Sequence, residues 1–173
     1  PGHPDLQALQ GLRDAVDAIA PNDVSKLNEL VHRLQSDPTW RWDKTVASDR
    51  LVVFTERIET LKFLQTHLAA KLGLADNAVA ILHGQLPDTQ IQQTVEDFGK
   101  TNSPVRLLIA SDVASEGINL HFQSHRLVHF DIPWSLMVFQ QRNGRVDRYG
   151  QTKTPLIAYL FNEVTHPRIK GDL

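Results

Sequence analysis

The stretch Gln140 to Gln151, QQRNGRVDRYGQ, holds three arginines, Arg142, Arg145 and Arg148, within seven positions. If it is helical, Gln141, Arg145 and Arg148 share one face by i, i+4 and i+3 spacing. A guanidinium is a planar, permanently charged fork that matches phosphate oxygens. Two on one stripe suit the β- and γ-phosphates of a nucleotide and the charge that develops during phosphoryl transfer. The same residues also read as a solvated basic face paired with Asp147, and composition does not choose between the two. Gly144 falls where it would break a helix interior.

The elements that must position this cluster alternate along the chain. Short apolar runs at 51–54, 79–82, 105–110, 127–130 and 156–161 are rich in β-formers and nearly continuous, as strands buried on both faces are. Amphipathic helical segments lie between them, at 58–72 ending on Gly73, at 88–98, and from Ser135 onward. The alternation predicts an α/β layered domain with a mostly parallel sheet. Right-handed crossovers place every strand-to-helix loop on one edge, where ligands bind. Thr55, His83-Gly84, Ser111-Asp112 and Asp131-Ile132 are therefore expected on a single rim. The first 45 residues differ. Residues 5–20 carry Leu6, Leu9, Val16 and Ile19 at helical spacing up to Pro21, and a second helix, with Ser25 as its expected N-cap, carries Leu27, Leu30, Val31 and Leu34. The polar loop that follows holds Trp40 and Trp42, read as packing anchors in preference to a base-stacking platform. The expected division is a helical lead-in and loop, 1–45, before a lobe at 46–173.

The pattern of Gln141, Gly144, Arg145, Arg148, Gly150 and Gln151 resembles motif VI of superfamily 2 helicases, and its trailing Gly-Gln resembles the Swi/Snf-related branch with its bacterial RapA-like members. Three further segments agree in order. Leu51 to Thr55 with Glu59-Thr60-Leu61 resembles motif IV, Leu107 to Leu120 resembles motif V, and Val128 to Trp134 resembles the strand and turn after it. The resemblance covers about residues 46–162 and implies a three-layer RecA-like C-terminal lobe. It implies that Arg145 and Arg148 are arginine fingers for ATP held by a first lobe, with Gln141 at the same cleft and Gly117 and Asn119 near the ribose. It implies that Thr55, His83, Gly84 and Ser111 contact nucleic-acid backbone, contacts that position without reading sequence. Each has a plainer reading: Ser111 as a helix cap, Asn119 as a turn residue, His83 as a hydrogen-bonded loop histidine. Glu116 stands where many relatives have Gly or Arg.

The family further implies an ATP-dependent translocase on double-stranded DNA, with the first RecA-like lobe of the same polypeptide as partner, ATP and Mg2+ as cofactors, and a cytoplasmic, bacterial-type or nucleoid-associated setting. Alternatives are the lobe of a strand-separating DNA or RNA helicase, favoured less by Gly150-Gln151 and by Glu116 to Leu120, and a non-catalytic interaction module, against which both finger arginines stand.

Other features narrow the chemistry. A phosphate-cradling loop needs G-x-x-x-x-G-K-[ST]. Gly99-Lys100-Thr101 lacks the glycine five positions earlier, where Thr94 stands, and it ends a helix instead of following a strand. No D-E-x-H or D-E-x-D segment offers a magnesium carboxylate. Both belong to the first lobe, so the isolated chain is expected to lack ATPase activity. His121 and His125 form an i, i+4 pair without the glutamate of a zinc helix, so no metal site is expected. There is no G-x-S-x-G nucleophile elbow, and with no cysteine there is neither disulfide nor thiolate chemistry. No apolar run reaches the roughly 18 residues that cross a bilayer, and PGHPDLQ shows no secretory leader. Beginning at Pro1, the chain reads as a piece of a longer protein. With 18 Lys and Arg against 20 Asp and Glu, bulk charge does not favour nucleic acid. Binding is expected to be weak and to rest on a local patch from Arg142 to Lys153.

Overall fold

The computed structural model describes residues 4–112 and 118–161. Five strands, β1 (Leu51–Phe54), β2 (Val79–Leu82), β3 (Leu107–Ala110), β4 (Arg126–His129) and β5 (Leu156–Tyr159), form one sheet in the order β2-β3-β1-β4-β5, every neighbour parallel. Among the described residues the α-helices are α1 (Pro4–Asp17), α2 (Ser25–Ser36), α3 (Ile58–Leu72), α4 (Asp88–Gly99) and α5 (Leu136–Asn143). Each expected strand is present; those placed at 105–110, 127–130 and 156–161 differ at their ends by one or two residues.

The pleat explains the layers. Leu51 and Val53 face one side of the sheet with Leu107, Ile109 and Val128, and pack with Leu27, Leu30 and Leu34 of α2 and Leu61, Leu64 and Leu68 of α3. Val52 and Phe54 face the other side with Leu108, Ala110 and Leu127, and pack with Phe98 of α4 and with Leu120 and Val146. Alternate residues of one strand thus belong to two cores, as the period of two requires. All four β1 residues are fully buried, which is why the run is apolar without alternation. Helix α3 ends at Gly73, which adopts φ 61°, ψ 44° and donates its N–H to the Ala69 and Ala70 carbonyls. Lys44 Nζ donates to the Leu72 and Gly73 carbonyls at 2.8 and 2.6 Å, a cation at the negative end of the helix.

Helix α2 shares the core of the sheet, and Ser25 is its first residue, not its cap, which is Val24. Trp42 is buried and its indole N–H donates to the Asp49 carbonyl at 2.6 Å, while Trp40 packs on the same core, so both serve as anchors. Helix α1 has no buried residue; Leu6, Leu9, Leu12, Val16 and Ile19 are each more than half exposed. None of the helices among the described residues is long and apolar enough to cross a membrane.

One long-range tie closes the lower edge of the sheet. Arg50 is fully buried, and its guanidinium donates to the carbonyls of Ala47 (3.0 Å), Lys100 (2.5 Å) and Phe98, with its plane over the Phe98 ring at 5.4 Å. The Gly99-Lys100-Thr101 tripeptide is therefore the capped end of α4, where carbonyls and not amides converge.

Candidate functional site

The parallel register ends every strand on one edge, at Phe54, Leu82, Ala110, His129 and Tyr159. The residues that follow, Thr55, His83, Ser111 and Asp131, lie along that rim as expected. Gly84 and Ser111 line one hollow there with Glu56, Ile58, Gln85 and Asp112. Ser111 is buried and its amide donates to the Leu82 carbonyl at 2.8 Å. His83 is buried, and its Nδ1 has no hydrogen-bond partner among the described residues. Thr55 is fully buried; its hydroxyl donates to Asp131 Oδ2 at 2.5 Å and its amide to the Ala110 carbonyl at 3.1 Å. In this structure Thr55 is thus committed to the rim's own framework.

The arginine cluster differs from expectation in two respects. The three residues Gln141, Arg145 and Arg148 do not share a helix stripe, because α5 ends at Asn143. Gly144 caps it, donating to the Gln140 and Arg142 carbonyls, and the chain continues in turns closed by Arg145 N–H to Arg142 O, Val146 N–H to Asn143 O and Gln151 N–H to Arg148 O. Glycine disfavours helix continuation by about 1 kcal/mol, and the turns deliver Val146 fully buried into the core beside Leu120. The second correction concerns Arg142. It is 2% exposed, so it contributes nothing to a surface patch, and Lys153 is engaged with the Ser48 carbonyl at 3.0 Å.

Arg142 instead forms the centre of a buried polar network. Its Nε and Nη2 donate to Asp112 Oδ1 and Oδ2 at 2.5 and 2.8 Å, a fork-to-fork pair. Its Nη1 donates to the Asp131 carbonyl at 3.0 Å and lies 3.4 Å from His129 Nδ1. Its plane lies over Phe54 at 5.5 Å. Asp131 in turn accepts from Thr55 and, at 3.0 Å, from the Glu56 amide. His129 is fully buried, stacks on Phe139 with centroids 4.5 Å apart, and has Nε2 2.8 Å from Asn143 Oδ1. The pattern fits a neutral imidazole protonated on Nε2. Burial, the largest influence, pushes its pKa below the ordinary histidine value; the Asn143 hydrogen bond opposes this and the Arg142 charge adds to it.

The turn after α5 faces the segment Ile118–Leu120. Leu120 donates its amide to the Arg145 carbonyl at 3.1 Å, and Arg145 Nη1 donates to the Ile118 carbonyl at 3.3 Å. Arg148 is exposed, and its Nη1 donates to Asn119 Oδ1. Among the described residues Arg148 makes no ion pair with a carboxylate, and Asp147 makes none at all. Gln141 is exposed at the end of α5. Gly117 and Glu116 lie outside the described residues. The Gly-Gln pair has a structural reason. Gly150 adopts φ 94°, and the Gln151 side-chain amide donates to the carbonyls of His121, Ser124 and Val146 at 3.0, 2.9 and 3.0 Å. It fastens the turn to the entry of β4.

Sequence reasoning missed the network of Arg142, Asp112, Asp131 and His129. The available signal was an acidic residue just beyond the ends of β3 and β4, the two strands that flank β1, opposite an arginine on the next helix.

The three-layer parallel fold with candidate ligand residues on the carboxyl edge of the sheet and on the turn after α5 defines a RecA-like lobe. A family model, the helicase conserved C-terminal domain, matches residues 25–150, and the chain belongs to that family. The RNA polymerase-associated protein RapA of Pectobacterium atrosepticum is 38% identical over 145 residues, 78% of this chain and 15% of that protein. The SNF2 domain-containing protein CLASSY 4 of Arabidopsis thaliana is 31% identical over 65% of this chain and 10% of its own length. The ATP-dependent RNA helicase DDX42 of Xenopus laevis is 28% identical over 90% of this chain and 16% of its own. The chain thus spans only 10% to 16% of these relatives. Among solved structures, the C-terminal part of the Fun30 ATPase domain matches with TM-score 0.63 at 21% identity, covering 78% of this chain and 39% of that one. Domain 2 of the DEAD-box helicase Mss116p, bound to an RNA duplex, matches with TM-score 0.61 at 16% identity, covering 78% and 49%. The likeness to a superfamily 2 C-terminal lobe therefore holds, with Swi/Snf-related proteins among its relatives.

Proposed function

We propose that the chain is the second motor lobe of a Swi/Snf-type, ATP-dependent translocase on double-stranded DNA, working with a first RecA-like lobe that holds ATP and Mg2+. Arg145 and Arg148 complete the nucleotide pocket as arginine fingers, Gln141 and Asn119 border it, and the hollow at Gly84 and Ser111 meets the phosphate backbone. The observation that carries this reading is Arg148. Its guanidinium is exposed and, among the described residues, held only by the neutral side chain of Asn119, so its charge is available to an incoming phosphate. Arg145 stands beside it, oriented by the Ile118 carbonyl. Bound phosphate would draw Arg148 from Asn119, and hydrolysis would return it, a local charge change able to drive rigid-body motion between lobes.

Arg148→Ala in the protein carrying both lobes tests this. Nucleic-acid-stimulated ATP hydrolysis should fall by roughly 10³-fold, within the range of a lost arginine finger, while ATP binding changes little. Normal turnover refutes the assignment. A second reading, a strand-separating RNA helicase, is supported by the likeness to DDX42 and to the Mss116p domain. A strand-displacement assay set against translocation along intact duplex separates the two.

A further inference from the structure

We propose that Arg142 is a positioning residue whose forked pairing with Asp112 fixes the turn bearing Arg145 and Arg148 against the Ile118–Leu120 segment. The inference rests on the reading of those two arginines as the nucleotide-facing pair, and it adds a residue that never meets the nucleotide. Arg142 is the third arginine of the cluster, and it is 2% exposed, whereas Arg148 is open to solvent.

The geometry supports a role in placement. A single guanidinium joins the end of β3, through Asp112, to the end of β4, through the Asp131 carbonyl, and Asp131 is joined to the end of β1 through Thr55 and the Glu56 amide. Helix α5 is thereby tied to three adjacent strand ends through its penultimate residue. The turn begins at once: the Arg145 amide donates to the Arg142 carbonyl itself, and the Arg145 carbonyl receives the Leu120 amide. Leu120 lies eight positions beyond Asp112 in the chain. Pairing Asp112 with Arg142 therefore sets one end of the frame in which both nucleotide-facing arginines sit, and the Leu120–Arg145 bond sets the other. The pair also offsets the Asp112 carboxylate in the hollow shared with Ser111 and Gly84, where an unopposed negative charge would repel a phosphate backbone. Lysine would keep the charge and lose the fork.

The test uses Asp112→Asn and Arg142→Lys in the protein carrying both lobes. We expect nucleic-acid-stimulated kcat to fall about tenfold or more, with the KM for ATP within about twofold, the signature of lost transition-state placement rather than lost binding. Amide exchange should quicken about tenfold or more at Leu120 and Arg145 and stay unchanged at Val53 and Ile109 in the sheet. Exchange at Leu120 and Arg145 equal to the wild type overturns the proposal whatever the ATPase shows. So does acceleration spread across the sheet, which would make the pair a general brace, and so does an unchanged kcat. Arg148→Ala separates this from the parent reading: normal turnover there removes the finger assignment, while exchange still reports whether Arg142 holds the turn.

Discussion

Replacing Gln151 with leucine removes a clamp while leaving a side chain of similar size. The glutamine amide nitrogen has two protons and three carbonyl acceptors within 3.0 Å, those of His121, Ser124 and Val146, so two bonds are satisfied at a time. Its Oε1 accepts the Lys153 amide at 3.0 Å. A net contribution of about 1 kcal/mol per neutral bond gives a loss of about 2–3 kcal/mol, with the upper end favoured because acceptors left without a partner are penalised. Ser124 and Val146 are 2% and 0% exposed, so little water reaches them. For a domain of this size each kcal/mol moves the midpoint by about 2–4 °C, so Tm should fall by roughly 5–10 °C. Thermal unfolding followed by circular dichroism measures it. Gln151→Glu should cost more, because it places carboxylate oxygens against carbonyl oxygens. A leucine variant melting within about 1 °C of the parent would show that the Gly-Gln pair has no structural weight and would refute the clamp.

Acidification should destabilise the fold. His129 is held neutral, its folded pKa depressed first by burial, so its contribution is complete above the unfolded value near 6.5 and is lost as pH falls below it. His121 and His125 are shifted in the same direction, also mainly by burial. Each imidazole that stays fully neutral loses up to about 1.4 kcal/mol between pH 7.5 and 5.5. Denaturant titrations at the two pH values should show the loss, and a His129→Gln variant that remains folded should show a smaller one; an equal loss in that variant would clear His129. Gly150→Ala should cost about 1–3 kcal/mol through its φ of 94° alone. The added Cβ meets His121 Nε2 only at an ordinary 3.6 Å, so relief of crowding cannot rescue it. An unchanged melting midpoint would contradict that account.

What the sequence revealed follows the range of each interaction. Leu51–Phe54 and the other strands were legible because burial on both faces demands unbroken apolar runs, and α3 ended where Gly73 supplied a left-handed residue. The rim followed from parallel crossovers alone. The helix stripe through Arg148 failed because turns closed by i to i+3 bonds also bring nearby residues together, and Gly144 had already marked the stop. The three arginines look equivalent in the chain. Which one is buried depends on Asp112, 30 residues earlier, and on Asp131, 11 residues earlier, arriving at the same place through the sheet. Arg50 is hidden in the same way, since its acceptors at Phe98 and Lys100 are carbonyls 48 and 50 residues away that carry no sequence signal.

The two cores of the sheet also separate tasks. The side formed with α2 and α3 contains none of the arginines of the cluster, which belong to α5 and to the turn packed through Val146 on the opposite side. Stabilising substitutions usually risk activity where the catalytic frame itself is stiffened. Here the plate of strands separates one layer from the other, so the α2–α3 layer can be hardened against heat without touching the turn that carries the arginines.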